Sequence, residues 1–117
     1  MNEIHDLRSW LAAVDELGEL ERIEGADWDL EVGCAAALNA QGKNPSALIF
    51  DNIKGYPAGY RVLTSTLTKP SRIGLTLGFP PTCSATELQD LLREGLKEWH
   101  STWPNYPPEF VESGPVM

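Results

Sequence analysis

The sequence predicts a two-layer α+β domain in which a small mixed sheet is flanked by about four helices. Residues 47–50 form an unbroken apolar run bounded by polar and turn-forming residues, which is typical of a strand covered on both faces. Residues 54–59 contain two glycines and a proline and predict a turn, and residues 61–65 then form a second β-rich run. Helical periodicity flanks this pair of strands on both sides. The simplest fold therefore buries all of these elements around one small sheet.

The N-terminal region predicts a helix that is followed directly by a short strand. Asp6 is a suitable N-cap for the helix, and Gly18 is a suitable terminator. Between them, apolar residues recur at every third or fourth position and share one face: Leu7, Trp10, Leu11, Val14 and Leu17. Residues 19–23 then largely alternate between polar and apolar, which predicts a half-exposed strand.

A second helix is predicted before the central strand. Asp29 is its expected N-cap, and Glu31 lies in the first turn, where the helix dipole favours negative charge. One side of this helix carries apolar residues: Leu30, Cys34, Ala37 and Leu38. The alanines at positions 35–37 keep the helix thin, so we expect it to pack close to a neighbour.

Two further helices are predicted after the second strand. Residues 72–78 span about two turns with Ile73 and Leu77 on one side, although Gly74 weakens this helix. The last helix begins with a capping box formed by Ser84 and Glu87. Its apolar residues follow at helical spacing: Leu88, Leu91, Leu92, Leu96 and Trp99.

The chain is predicted to hold one domain, residues 1–100, and a C-terminal linker, residues 101–117. Helical periodicity is lost in the linker, which contains four of the nine prolines. The spacing of Pro104 and Pro107 fits a linker better than a ligand for an aromatic groove. Aromatic residues are unusual in a linker, so we expect three of them to lie against the domain or against a partner: Trp103, Tyr106 and Phe110.

The composition argues against several classes of partner. Seventeen acidic residues against nine basic ones give a net charge of −8, which repels phosphate backbones and anionic lipid. The N-terminus has charge where a signal peptide has its apolar segment, and no stretch approaches the roughly 20 apolar residues of a membrane span. We therefore expect a cytoplasmic protein that binds neither nucleic acid nor membranes. In that compartment Cys34 and Cys83 are expected to be free thiols.

Two groups of acidic residues have simpler explanations than a reactive site. Asp27, Asp29 and Glu31 have the spacing of a calcium loop, but apolar residues occupy the positions of the required glycine and of the closing glutamate. Helix capping is therefore favoured. A second group surrounds a helix end and a strand without apparent apolar cover, so solvated surface charge is favoured over an acid-base pair. This group contains Glu16, Glu19, Glu21 and Glu24.

The remaining candidates do not form a recognisable catalytic pattern. His5 and His100 lie near opposite ends of the chain, and neither has a nucleophile at a suggestive spacing. Cys34 falls on the apolar side of the second helix, where a buried and inert thiol is expected. Four glycines fit turns and not a phosphate-binding loop: Gly55, Gly59, Gly74 and Gly78. The residues alone therefore predict a scaffold or docking domain with no catalytic, cofactor-binding or metal-binding residue of its own.

Several short motifs follow one another along the chain in a distinctive order. They are Asp-Leu-Arg-Ser-Trp-Leu at 6–11, Gly-Glu-Leu at 18–20, Trp-Asp-Leu-Glu-Val-Gly at 28–33, the central stretch 47–63, the segment 72–78, Pro-Pro-Glu at 107–109 and Gly-Pro-Val at 114–116. In this order and spacing they resemble the N-terminal domain of the UbiD family of decarboxylases. The resemblance covers nearly all of the chain. The departures are Gly74, where the family more often has a helix former, and residues 64–68, which lack a frequent glycine.

The resemblance implies a function for the full-length protein. Members of the family use a prenylated flavin mononucleotide, with a divalent metal such as manganese and with potassium, to decarboxylate or carboxylate aromatic and α,β-unsaturated acids reversibly. In the family, the flavin pocket, the metal ligands and a proton-handling glutamate-arginine-glutamate network belong to the domain that follows this one. We therefore expect this chain to stop where the catalytic domain begins and to be inactive alone.

The resemblance also implies partners. These are the remaining flavin-binding and C-terminal domains of the same enzyme, and the full-length enzyme is expected to be a homo-oligomer. The alternative is a free-standing, non-catalytic interaction module that docks on a separate catalytic subunit. A small thiol enzyme that uses Cys34 is a third possibility.

Overall fold

The computed structural model describes residues 4–115 and confirms the predicted α+β fold, with four helices around a small mixed sheet. In chain order the elements are α1 (Leu7–Glu16), β1 (Leu20–Glu24), α2 (Glu31–Ala40), β2 (Ala47–Asp51), β3 (Val62–Thr64), α3 (Pro70–Thr76) and α4 (Ala85–Thr102), after which residues Trp103–Asn105 form a 3₁₀ turn. β1 pairs with β2 in parallel, and β2 pairs with β3 antiparallel. The strand order is therefore β1-β2-β3, and β1 and β3 are the edges of the sheet.

β2 is buried on both faces, as its apolar run predicts. Its first four residues are each at most 3% exposed. Ala47 packs in a cluster with residues of α1 and α3, namely Trp10, Val14 and Leu75. Leu48 and Phe50 belong to a second cluster, which also contains Ala26 and Ile53 and is covered by α2. The sheet therefore lies between two helical layers, and β2 carries the core of both.

α1 begins and ends as the sequence predicts. The side chain of Asp6 accepts a hydrogen bond from the Ser9 backbone N–H at 2.8 Å, and Ser9 Oγ accepts one from the Asp6 backbone N–H at 3.1 Å, which makes a reciprocal capping box. Gly18 follows the helix with φ +69°, a conformation that glycine adopts without strain. Trp10 Nε1 donates to Thr76 Oγ1 at 2.9 Å, so a polar contact also joins α1 to α3.

The predicted N-cap and the predicted buried side of α2 are both wrong. Leu30, not Asp29, is the N-cap residue, with φ +70° and no capping hydrogen bond from its side chain. Val32 and Ala35 pack towards the sheet, while Cys34 and Leu38 are exposed. A helix this rich in alanine can lie against the sheet through its small residues, and its larger apolar residues then face outward. The expectation of a buried Cys34 therefore fails.

α3 begins two residues earlier than predicted and buries a different side. Pro70 occupies its first turn, where the missing N–H of proline is tolerated. The buried residues of α3 are Arg72, Gly74 and Leu75, whereas Ile73 and Leu77 were the predicted apolar side. A Cβ on Gly74 would lie 3.1 Å from Pro80 O and 3.2 Å from Cys83 Sγ. The close approach of the loop before α4 therefore explains why this helix contains a glycine.

α4 has the predicted capping box, but its last two turns are largely exposed. Ser84 N donates to Glu87 Oε2 at 2.7 Å, and Glu87 N donates to Ser84 Oγ at 3.3 Å. Leu88 is buried, whereas Leu96 is 59% and Trp99 is 41% exposed. The radius of gyration is 17.4 Å, against about 13 Å for a compact domain of this size. The C-terminal half of α4 and the segment after it thus lie away from the sheet.

Replacing Gly74 with alanine tests the close approach of this loop. Gly74→Ala is expected to lower the free energy of unfolding by about 1 kcal/mol or more, because overpacking against a backbone oxygen exceeds the gain in helix propensity. Gly33→Ala is the matched control, since a Cβ there meets nothing within 4 Å. The free energy of unfolding of Gly33→Ala should rise by up to about 1 kcal/mol. Urea denaturation measures both, and a stabilised Gly74→Ala variant would contradict the packing described here.

Candidate functional site

The most organised polar cluster in the described residues is built around the buried side chain of Arg72, which is 0% exposed. Its Nη1 donates to Glu19 Oε2 at 2.8 Å, and its Nε donates to the Thr66 carbonyl at 3.1 Å. Its Nη2 donates to the Pro45 carbonyl at 2.8 Å and to Thr68 Oγ1 at 2.7 Å. One guanidinium thus holds together the start of β1, the loop before β2 and the loop after β3.

Glu19 is the acidic partner of this cluster. It is 13% exposed and also accepts hydrogen bonds from Lys69 Nζ at 2.6 Å and from Ser71 Oγ at 2.8 Å. Burial raises the pKa of the Glu19 carboxyl, but the hydrogen bonds from Lys69, Ser71 and Arg72 outweigh it and hold the pKa below its ordinary value of 4.5. An ionised carboxylate with three donors is poorly suited to proton transfer. The cluster therefore stabilises the fold.

Of the four glutamates predicted to be solvated, three are exposed and one is mostly buried. Glu16, Glu21 and Glu24 are exposed, as predicted, but Glu19 is not. The sequence places Glu19 and Arg72 far apart, and no local pattern reveals their pairing. The one available signal was a charged residue on an otherwise apolar helix, α3.

The carboxylates before α2 bind backbone N–H groups. Asp27 Oδ1 accepts from the Asp29 N–H at 3.0 Å, and Glu31 Oε2 accepts from the Asp27 N–H at 2.6 Å. Asp27 also pairs with Lys54 at 3.4 Å, which connects this loop to the turn after β2. Within residues 4–115, no three His, Cys, Asp or Glu side chains are grouped as a metal site requires.

The predicted histidine and cysteine candidates lie on separate elements. His5 precedes α1, and its backbone N–H donates to Ser9 Oγ at 3.1 Å. His100 is in the last turn of α4, with its ring 6.5 Å from the Trp103 ring. Cys34 is exposed on α2, and Cys83 is half-buried before α4; both are free thiols. In the described part of the chain, no hydrogen bond joins either thiol to His100.

The predicted glycine turns are confirmed at three of the four positions. Gly55 and Gly59 have φ +84° and φ +98° in the connection from β2 to β3, and Gly78 has φ +79° after α3. Gly74 is helical and is required by close packing, as described above. The first two glycines join two strands, whereas phosphate-binding loops lead into the N-terminus of a helix.

An open cleft of about 540 Å³ lies beside the first half of α4. Its lining includes Cys83 and Leu91 together with three carboxylates: Glu87, Asp90 and Glu94. Carboxylates repel the phosphate of a flavin nucleotide, and none of the described residues that line the cleft is basic. The residues of this cleft therefore do not fit a flavin mononucleotide.

The exposed apolar side chains of the described residues include two groups on helices. The first is on α2, where Leu30 and Leu38 are 75% and 70% exposed. The second follows the end of α4, where Leu96, Trp99 and Trp103 line a shallow groove. Tyr106 and Phe110, which follow in the sequence, are also strongly exposed. Across residues 4–115, no helix has the length and apolar character needed to span a bilayer.

Comparison with known proteins identifies the family. The sequence model for the N-terminal domain of 3-octaprenyl-4-hydroxybenzoate carboxy-lyase matches residues 11–92. The chain is 33% identical over 105 residues to the phenolic acid decarboxylase of Escherichia coli O157:H7. That match covers 87% of this chain and 20% of the decarboxylase. The chain therefore belongs to the UbiD family of carboxy-lyases and contains the family's N-terminal domain, as the sequence motifs predict.

Solved structures with the same fold include the vanillic acid decarboxylase of Sedimentibacter hydroxybenzoicus. Its open form matches 95% of this chain with a TM-score of 0.67 and 25% identity. Its closed form matches 96% with a TM-score of 0.62 and 26% identity. In both cases the chain corresponds to 22% of the length of the solved chain. The fold described here is thus shared with about a fifth of a much longer decarboxylase chain.

Removing the guanidinium tests its structural role. Arg72→Met is expected to lower the free energy of unfolding by about 3 kcal/mol, because it removes one of the three donors of the largely buried Glu19 carboxylate and leaves several carbonyls without a donor. Arg72→Lys should rescue little, since an ammonium cannot reproduce the planar fork. Arg22→Met is the control, because the Arg22–Asp15 pair is exposed and should contribute less than about 1 kcal/mol. Equal losses for Arg72→Met and Arg22→Met in urea denaturation would contradict this role.

The lowered pKa of Glu19 predicts a direction of pH dependence. Because the folded pKa lies below the unfolded value, the ionised carboxylate contributes its full stability above about pH 4.5 and loses it as pH falls through the folded pKa. The difference in unfolding free energy between the wild-type chain and Glu19→Gln should therefore be largest near neutral pH and shrink in acid. Urea denaturation at a series of pH values measures this difference. A difference that stays constant down to about pH 3 would count against the assignment.

Proposed function

We propose that this chain is the N-terminal scaffold and docking domain of a UbiD-type enzyme that reversibly decarboxylates aromatic or α,β-unsaturated acids. The family match over residues 11–92 carries the proposal. Two relatives are named for their action on phenolic acids and on vanillic acid, so an aromatic acid with a phenolic hydroxyl is the preferred substrate class. The chemistry is proposed for the whole enzyme, because this chain spans only 20% of its phenolic acid decarboxylase relative.

The scaffold role is supported by how the polar groups are used. Glu19 accepts from three neighbouring side chains, and Asp27 and Glu31 bind backbone N–H groups. These carboxylates are therefore committed to holding the fold. The cleft beside α4 is acidic and does not fit a flavin phosphate. We assign the prenylated flavin, the manganese and the potassium to the portion of the enzyme outside this chain.

The docking role is supported by the exposed aromatic residues at the end of the domain. Trp103 is 61%, Tyr106 is 80% and Phe110 is 94% exposed. Large aromatic side chains bury 150–250 Å² each when they are covered, so leaving three of them in water is unfavourable. We propose that residues 101–117 form the linker of the prediction above and that these three residues pack on the flavin-binding domain. The enzyme is proposed to be a cytoplasmic homo-oligomer.

A free-standing interaction module that docks on a separately encoded catalytic subunit is the second candidate. The same exposed apolar surfaces favour it, because they would serve a separate subunit as well as a tethered domain. The two candidates differ in the reading frame beyond Met117. Continuation into a flavin-binding domain favours the first, and a stop codon favours the second.

An activity assay tests the proposal. The 117-residue chain, supplied with prenylated flavin mononucleotide, manganese, potassium and a panel of phenolic acids, is expected to release no carbon dioxide. The enzyme that joins this chain to its flavin-binding portion should release carbon dioxide from at least one acid under the same conditions. Carbon dioxide release by the chain alone would overturn the scaffold role. Failure of the complete enzyme on every acid would overturn the proposed chemistry.

A further inference from the structure

α2 has an apolar side that the domain itself does not cover. Leu30 and Leu38 are 75% and 70% exposed, and Cys34 and Ala37 between them are exposed as well. Cys34, Ala37 and Leu38 share one side of the helix, and Leu30 is the N-cap that precedes it; we call these four residues the α2 outer face. The opposite side of α2 packs on the sheet. α2 therefore has a covered side and an uncovered apolar side.

The backbone before α2 adopts a strained conformation at Leu30. Leu30 has φ +70° and ψ −49°, and the Glu31 N–H donates to the Asp29 carbonyl at 2.9 Å. This is a classic γ-turn, which is rare and strained for a residue other than glycine. The hydrogen bond from the Asp27 N–H to the Glu31 carboxylate, at 2.6 Å, fixes the turn from outside. The strained turn therefore lies at a residue whose leucine side chain is 75% exposed.

The α2 outer face is also free of charge. Among the ten residues of α2 only Glu31 is charged, although the whole chain has a net charge of −8. A partner that covers this face would bury apolar surface without removing a charge from water, which is the expensive step in forming an interface.

The size of the face indicates a tethered partner. α2 has ten residues and is about 15 Å long. A stable contact between separate proteins involves some 20–30 residues on each side, which bury roughly 800 Å², so the helix alone is too small for one. A covalently linked partner needs far less, because the link supplies an effective concentration in the millimolar range. A second copy of this chain is further disfavoured by the repulsion between two net charges of −8.

The family match places this face in the shared part of the domain. Residues 11–92 match the family, and this range contains all of α2 but none of the aromatic residues after α4. The chain corresponds to about a fifth of its longer relatives, so in them a large portion of the same polypeptide is present to cover this face.

We propose that the α2 outer face docks intramolecularly on the flavin-binding portion of the same polypeptide. This inference rests on the proposed function, which supplies that portion. It adds a contact surface separate from residues 101–117, so that the domain is held on its partner at two places.

Thiol labelling at Cys34 tests the contact directly. A thiol-specific reagent is applied to the 117-residue chain and to the complete enzyme, and mass spectrometry of the peptide that contains Cys34 gives the labelling rate in each. We expect labelling to be at least about tenfold slower in the complete enzyme, because the docked portion covers the thiol. Cys83 lies off α2, and its labelling rate serves as the internal reference.

A charge on the α2 outer face tests the contact by disruption. Leu38→Glu should leave the urea midpoint of the 117-residue chain unchanged, because Leu38 is exposed there. In the complete enzyme, Leu38→Glu should restore labelling of Cys34 to the rate of the isolated chain. Leu7→Glu is the matched control, since it places the same charge on a 59% exposed leucine of α1. Leu7→Glu should leave Cys34 protected.

Each other outcome overturns the inference. Equal labelling of Cys34 in the chain and in an active complete enzyme would overturn the docking contact while the proposed function stands. Protection of Cys34 in the isolated chain that grows with concentration, together with a dimeric mass, would assign the face to a second copy. A reading frame without a flavin-binding portion would overturn both the inference and the tethered form of the proposed function.

Discussion

The pairing of Arg72 with Glu19 is the constraint on which the rest of the domain depends. A fully buried guanidinium is stable only when its donors are satisfied, and here a carboxylate, three carbonyls and a hydroxyl satisfy them at 2.7–3.3 Å. These acceptors come from the start of β1 and from the loops that precede β2 and follow β3. The position of α3 against the sheet is therefore fixed by polar contacts as well as by Leu75 in the core.

Three carboxylates hold loops of the domain together, while several large apolar side chains are exposed. Glu19 is bound by three side-chain donors, and Asp27 and Glu31 accept hydrogen bonds from backbone N–H groups. In contrast, Leu38 and Phe110 project into solvent on different elements. Exposed apolar side chains of this size are typical of surfaces that contact a partner.

Local signals predicted the elements well. The capping residues Asp6 and Ser84 begin α1 and α4, and the apolar run of β2 identifies the central strand, because each of these features depends only on neighbouring residues. The motif order also identified the family. The division into residues 1–100 and 101–117 stays a prediction, although α4 continues to Thr102.

The features that the sequence did not reveal depend on long-range packing. Arg72 and Glu19 meet only after the sheet has formed, and Gly74 is explained only by the approach of Pro80 and Cys83. For α2, the apolar side was identified correctly, but it was expected to be buried and is exposed to solvent. Two apolar faces compete for one sheet, and the face with the smaller residues, Ala35 among them, packs more closely.

The edges of the sheet have a consequence for the behaviour of the protein in solution. β3 is only three residues long, and β1 carries charged, exposed side chains at Glu21, Arg22 and Glu24. Short strands and charged edges are poor templates for strand addition by another chain. The edges of the folded sheet are therefore protected against growth into fibrils and against edge-to-edge aggregation.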